Sequence, residues 1–588
     1  MSIAQSNLAG ASYGYDVVVA IAEIVINNVL KQKFLMQAAM GTLPPPVTAY
    51  YGLDDSGNVY EMEPATVLLQ TKGIDPFTVP SWDGTGNVPA GVATITNAES
   101  QFYYGFKAQI GLPAGNMDDL PDILQFHSDV QSVRYNMLCH LFQFVMVNYG
   151  RQGLISYVNI SQPAGQPWVF SADIPLAKMN DTANLPAIVQ QQLQKLGGQF
   201  SVQKLLLEVD NPVLQESPAL SGVADSNIRN KLNADFLGKY FSSVKANGLD
   251  VLNYAIVNPM PAQGLQLSDM NIYIAPIVDA SGQPVSSPST DQLNLSTVNY
   301  LCSMAGHTLP TPTPFNWNWL DSDQDLADYD GIVAINRERM IDYFQEQLTG
   351  FISANCYRSQ VKVTADGLDA DYSWSLTPGQ PPSIERFQRS GNPVADALII
   401  QNAELLPKEA GGPGPGTVLF FGYSSTSSDQ AGLNGDIGKM ILTPSITASL
   451  QFNGNTVTIS QHLVIYVYVN HWSSGAGGNI IDKTITDVYD ITTNGNGQLI
   501  FLKDSSRSEQ IDNSQMPGVS GFLNFFNKVN ELIADVGSWA NAFVPTSFTD
   551  IPLSAFQQFV FPGGETFIFL DACFSANLDL VARIRMRL

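Results

Sequence analysis

Apolar residues recur at three- and four-residue steps in two stretches that follow the same short phrase. Tyr15-Asp16-Val17-Val18-Val19-Ala20-Ile21 returns as Tyr329-Asp330-Gly331-Ile332-Val333-Ala334-Ile335, identical at five of seven positions. Sliding one copy 314 positions onto the other matches Val19 with Val333, Ile26 with Met340, Leu30 with Phe344 and Phe34 with Leu348. At roughly 100° per residue these positions fall within an arc of about 80°, which predicts two helices sharing one buried stripe. Thr42-Leu43-Pro44-Pro45-Pro46 stops the first of them. A repeat over this distance predicts two related modules. We place them at residues 1–310 and 311–588, with the Pro-, Thr- and Asn-rich stretch 308–319 at the boundary.

Elsewhere the texture is that of strands and turns. Strands are predicted at Ala65–Thr71, 201–210, Asn271–Val278, Val361–Thr364, His462–Val469 and Thr566–Leu570. Asp235–Lys245 has helical character. Residues 122–149 carry mixed periodicity and leave helix and buried strands both open. From Phe522 to Phe543 apolar residues, among them Phe522, Phe526, Val529 and Ile533, follow a helical period. Residues 1–14, rich in Ser, Ala and Gly, read as a flexible leader. Each half thus combines a turn-rich sheet with a few long helices, an α+β chain.

Composition narrows the function. The formal net charge is −25, and no run of Lys and Arg is present, so nucleic acid is not an expected partner. The same balance disfavours simple adhesion to anionic lipid, though not burial of a single lipid. The first segment lacks a basic start, and Asp16, Glu23, Asn27 and Asn28 interrupt its apolar run, so neither signal peptide nor transmembrane span is predicted. The expectation is a soluble chain, cytoplasmic at synthesis and released, if at all, without a classical signal. The four cysteines are widely separated and read as buried small hydrophobes, not a zinc site.

No catalytic signature emerges. The five histidines form no HExxH pair, and no Walker loop, GxGxxG or GxSxG elbow occurs. Asp321-Ser322-Asp323-Gln324-Asp325 opens like a calcium loop, but Leu326 and Ile332 stand where Gly and Glu are required. It reads as a solvated run before the next helix. No catalytic residue, metal ligand or cofactor is assigned.

The Tyr-Asp phrase leading into a long apolar helix resembles the opening of the clostridial neurotoxin-cluster forty-seven-kilodalton and OrfX-type proteins. Gly73-Ile74-Asp75-Pro76-Phe77 is similar to a turn of that family. So is the closing stretch from Phe559-Val560-Phe561-Pro562-Gly563-Gly564 through Phe567, Asp571, Phe574 and Asn577 to Leu578-Asp579-Leu580-Val581. That family in turn resembles the tubular lipid-binding (TULIP) superfamily, in which a curved antiparallel sheet wraps a long helix. The resemblance implies two tandem modules of this type and a non-enzymatic protein that binds lipid or another apolar small molecule. It also implies protein partners in a toxin-like or insecticidal assembly. Candidate groove-lining residues are then Val19, Ile26, Leu30, Phe34, Val333, Met340, Phe344, Leu348, Phe522, Phe526, Val529 and Ile533. A structural protein with filled interiors and a hydrolase with an unrecognised acidic site remain the alternatives.

Overall fold

The repeated phrases form adjacent strands. In the computed structural model, Val17–Ala22 and Gly331–Ile335 pair antiparallel at the centre of a six-stranded sheet. Each is followed by a helix, Glu23–Ala39 and Arg337–Ala354. The structure describes residues 3–387, 416–515, 534, 551–552, 559–560 and 566–587, except 98, 116–118, 127–131, 181–184, 186, 197–200, 210–218, 222, 224, 258–266, 305, 322, 436 and 473. The predicted helix of Phe522, Phe526, Val529 and Ile533 lies outside the described residues.

The order of the central sheet is Leu267–Ala275, Thr297–Met304, Val17–Ala22, Gly331–Ile335, Leu580–Arg587, Thr566–Phe574. Its register turns about one point. Val19 faces Val333, Val17 faces Ile335 and Ile21 faces Gly331, so each residue meets the counterpart of its mirror position. Outward from this seam the match continues. Val17 pairs with Cys302 and Cys302 with Met270, while Gly331 pairs with Ile584 and Ile584 with Phe569. Uninterrupted burial along both seam strands explains their near-continuous apolar sequence.

Two sheets enclose the longest described helix, Ser226–Ala246. One has the order Val59–Met62, Val47–Leu53, Phe102–Ile110, Cys139–Gly150, Gly153–Ser161. The other runs from Phe559–Val560 through Val251–Val257, Ser201–Leu207, Val169–Asn180 and Ser132–Met137 to Leu124–Phe126. Phe236 of the helix meets Phe106, Phe142 and Phe170 at ring distances of 5.5, 4.9 and 4.6 Å. Such aromatic packing supplies large buried area with defined geometry. The described residues of 122–149 resolve into the strands Leu124–Phe126, Ser132–Met137 and Cys139–Gly150.

The second half carries a sheet with three long strands, Gly438–Asn453, Thr456–His471 and Ser474–Thr493. Thr456–His471 alternates buried and half-buried residues throughout, as a sheet with one face on the core requires. Phe344 of helix Arg337–Ala354 packs under this sheet against Phe452 and Phe501.

Two expectations change. The predicted strand Ala65–Thr71 is instead a helix, Pro64–Gln70. Pro64 occupies its first turn, where a missing N–H costs nothing. Only Val67 is buried, and Leu69 is 81% exposed, so the short apolar run reflects no sheet face. The leader is anchored: the Ser6 hydroxyl and Leu8 N–H donate to the buried Asp579 carboxylate at 2.8 and 2.6 Å. In the stretch 308–319, placed at the module boundary, Phe315, Trp317 and Trp319 are buried and Tyr13 stacks on Phe315. Composition marks turn residues there but not the aromatic anchors between them.

Candidate functional site

Helix Glu23–Ala39 carries a polar ladder inside an otherwise apolar environment. Glu23, Asn27 and Lys31 stand four residues apart, hence on one face, and all three are buried. They face Leu124–Phe126, the edge strand of its sheet. An edge strand presents unpaired backbone groups that need partners, and here the helix side chains supply them. Asn27 donates to the Leu124 carbonyl and accepts the Leu124 N–H, both at 2.8 Å. The Phe126 N–H donates to Glu23 Oε2 at 3.0 Å. Lys31 Nζ donates to the Leu120 carbonyl at 3.0 Å and pairs with Asp122 at 2.9 Å.

Burial pushes the Glu23 carboxyl up to about 8; the Phe126 N–H opposes this and the Asp122 charge adds to it. Near neutral pH Glu23 is therefore largely protonated, and the seam closes without an unpaired buried anion.

Beside this seam lies an enclosed crevice. Ile26 and Val29 line it from the helix, Phe126, Val133, Leu176 and Leu252 from the neighbouring sheet, and Val298, Tyr300 and Met586 from the central sheet. Among the described residues that line it, none is charged. Its volume is about 20 Å³, room for one body the size of water.

Of the sequence-predicted groove residues, Ile26 lines this crevice. Val19 and Val333 belong to the seam strands, not to the helices, so the helical stripes begin at Ile26 and Met340. Leu30, Phe34, Met340, Phe344 and Leu348 are buried in the packed core. Val29 lies one turn further along the same helix; the other crevice residues come from segments far apart in sequence, and no local pattern joins them to it. The sequence reading missed the polar ladder, taking Glu23 and Asn27 only as interruptions of the apolar run; their four-residue spacing, continued by Lys31, is the signal that marks it.

The phrase residues act as anchors. Asp16 accepts the Met304 N–H and Asp330 the Met586 N–H, both at 2.7 Å. Reciprocally, the Asn336 N–H donates to the Asp16 carbonyl and the Ala22 N–H to the Asp330 carbonyl. Asp16 also meets His307 at 3.0 Å and Arg339 at 3.2 Å.

A second depression, an open cleft of about 720 Å³, lies between Val59–Met62 and helix Ser226–Ala246. Its charged groups are engaged. Lys239 pairs with Glu61 at 2.6 Å, Tyr104 donates to Asp235, and Lys231 stands 4.1 Å from the Tyr103 ring centre. Among the described residues no three metal-ligating side chains gather, and no helix is long and apolar enough to cross a membrane.

No family model and no curated protein matches the chain. Among solved structures it is similar to P47 of Clostridium botulinum E1, with 11% identity, 98% of this chain and 100% of that chain covered, and a TM-score of 0.42. It is also similar to P47 from Clostridium botulinum A2, at 10% identity, with 98% of each chain covered and a TM-score of 0.39. A third similar structure is a lipopolysaccharide binding protein, at 10% identity, with 97% and 99% covered and a TM-score of 0.28. The first two are of the forty-seven-kilodalton type that the sequence resembles.

Proposed function

We propose that this chain is a non-enzymatic binding protein for the acyl part of a lipid or another apolar small molecule, held beside helix Glu23–Ala39. The observation that carries the reading is the uncharged, apolar lining of the crevice where that helix meets two sheets. Each methylene buried there contributes about 0.8 kcal/mol. At about 20 Å³ the crevice accepts a chain only by parting the helix from Leu124–Phe126, so the polar ladder is its closure. We further propose two related modules, on the matched register about Val19 and Val333. Membership of a toxin-like or insecticidal assembly rests on the sequence resemblance alone.

The small volume favours a second reading, a structural or interaction protein with filled interiors. Opposite substitutions at one wall separate the two. Val29→Ala is expected to raise uptake of a fluorescent fatty acid severalfold, at a stability cost of about 2 kcal/mol, and Val29→Phe to abolish it. Mass spectrometry of solvent extracts should find lipid in the wild type. If neither wild type nor Val29→Ala takes up the probe and extracts hold no lipid, the filled-interior reading stands.

A further inference from the structure

Three large apolar side chains stand out at one end of the long-stranded sheet. Leu368 is 77% exposed, Leu433 84% and Trp472 40%. They occupy three separate turns that the hydrogen bonding places side by side. Strand Arg358–Asp366 runs along the segment before Leu433 at a constant offset. The N–H groups of Ser359, Val361 and Val363 donate to the side chains of Ser425, Ser427 and Asp429, each 66 residues on. That offset brings the turn Gly367–Leu368 level with Leu433. Next, Ala431 pairs with Gly438 and Gly438 with His471, the residue before Trp472.

A buried histidine ties the turns together. His471 Nε2 meets Asp369 Oδ1 at 3.3 Å, and its Nδ1 lies 3.3 Å from the Tyr372 hydroxyl. Asn470 donates to the Gly435 carbonyl at 3.4 Å. The backbone of Trp472 is itself unusual. Its φ is 54°, in the left-handed region where glycine is free of strain and a bulky side chain is not. The neighbouring turns use glycine for this conformation, Gly367 at 65° and Gly432 at 87°. Here the chain places its most amphipathic aromatic residue there instead and leaves it half exposed.

We propose that this end of the sheet is a membrane-docking edge at which Leu368, Leu433 and Trp472 insert into an uncharged, zwitterionic lipid surface. A protein partner of ordinary stability needs a broad complementary face of about 800 Å² on each side. Three side chains projecting singly from separate turns suit a soft medium that closes around each one. Trp favours the interface between headgroups and hydrocarbon. Charge selects the lipid class. Asp366, Asp369 and Asp371 flank Leu368 and are exposed, and the whole chain carries −25, so an anionic bilayer repels it.

Docking does not require an occupied crevice, and the two readings fail separately: flotation reports docking, solvent extraction reports occupancy. The test is flotation of the full chain with phosphatidylcholine vesicles. The wild type is expected to float, with a blue shift of Trp emission. The triple variant Leu368→Ser, Leu433→Ser, Trp472→Ser is expected to lose about tenfold or more of its partition, with an unchanged circular dichroism spectrum because Leu368 and Leu433 face water and Trp472 is only half covered; Leu368→Ser, Leu433→Ser with Trp472 retained loses partition in the same direction. Trp472→Phe keeps most of the flotation and removes the blue shift. Added phosphatidylserine lowers binding. Wild type that stays off the vesicles overturns the proposal, as does a triple variant that floats equally or stronger binding on phosphatidylserine. Self-association lost only in the triple variant, without vesicle binding, would assign the turns to contacts between copies of the chain.

Discussion

Gly331→Ala is expected to cost about 3 kcal/mol or more, enough to lower the denaturation midpoint sharply and to depress yield of the folded chain. The reason is not backbone freedom, since Gly331 has no positive φ. A Cβ at this position would lie 2.3 Å from the Ala20 carbonyl oxygen and 2.9 Å from Ile21 Cδ1. The obstacle is backbone of the paired strand, so the seam itself must move. Opening the seam strains the reciprocal bonds from Asn336 to Asp16 and from Ala22 to Asp330, and with them the docking of both following helices. Gly350→Ala is the control. It lies in helix Arg337–Ala354 with nothing within 4 Å of the added Cβ, and should gain up to about 1 kcal/mol from helix propensity. A Gly331→Ala midpoint indistinguishable from wild type would show that the seam has slack and is not the rigid centre of the fold.

That glycine also marks how far the sequence could be read. The phrase, its two helices and their shared register were legible because periodic burial leaves a local imprint. The alternating middle of one long strand, His462–Val469 of Thr456–His471, was legible for the same reason. The departure of Gly331 from Val17 at the matching place was visible but had no meaning without the partner strand. Pro64–Gln70 misled because a short apolar run does not distinguish strand from helix when a single residue is buried. The crevice was the least legible feature. Ile26 came from the helical stripe, but Leu176, Leu252, Val298 and Met586 converge only through long-range pairing. The exposed turns were equally silent, since Leu368, Leu433 and Trp472 read as ordinary apolar residues until their exposure and neighbourhood are known.

Glu23→Gln is expected to stabilise the protein increasingly as pH rises from about 5 to 8, and to leave it nearly unchanged at pH 4. The sign follows from burial. In the fold the Glu23 carboxyl titrates at about 8, against an ordinary value of 4.5. Below 4.5 both folded and unfolded chains hold the proton, and the wild type suffers no penalty. Between the two values the unfolded chain releases it and the fold does not, so wild-type stability falls with pH and levels off above 8. A separation of this size has a ceiling of roughly 4–5 kcal/mol. Gln keeps an acceptor for the Phe126 N–H and removes the titration. Glu23→Ala removes the acceptor as well and leaves that buried N–H unpaired, at a cost of about 1–3 kcal/mol. The groups facing Glu23 along the seam are Asn27, which is neutral, and Lys31 paired with Asp122. Parallel pH profiles for Glu23→Gln and wild type would remove this titration from the seam. The same experiment reaches function through hydrogen exchange at the Phe126 amide. If the ladder closes the crevice, protection of the Phe126 amide relative to its intrinsic, base-catalysed exchange rate should fall with pH and uptake of a fluorescent fatty acid should quicken in the wild type, while both stay flat in Glu23→Gln. Loosening at the seam without faster uptake would place the entrance elsewhere.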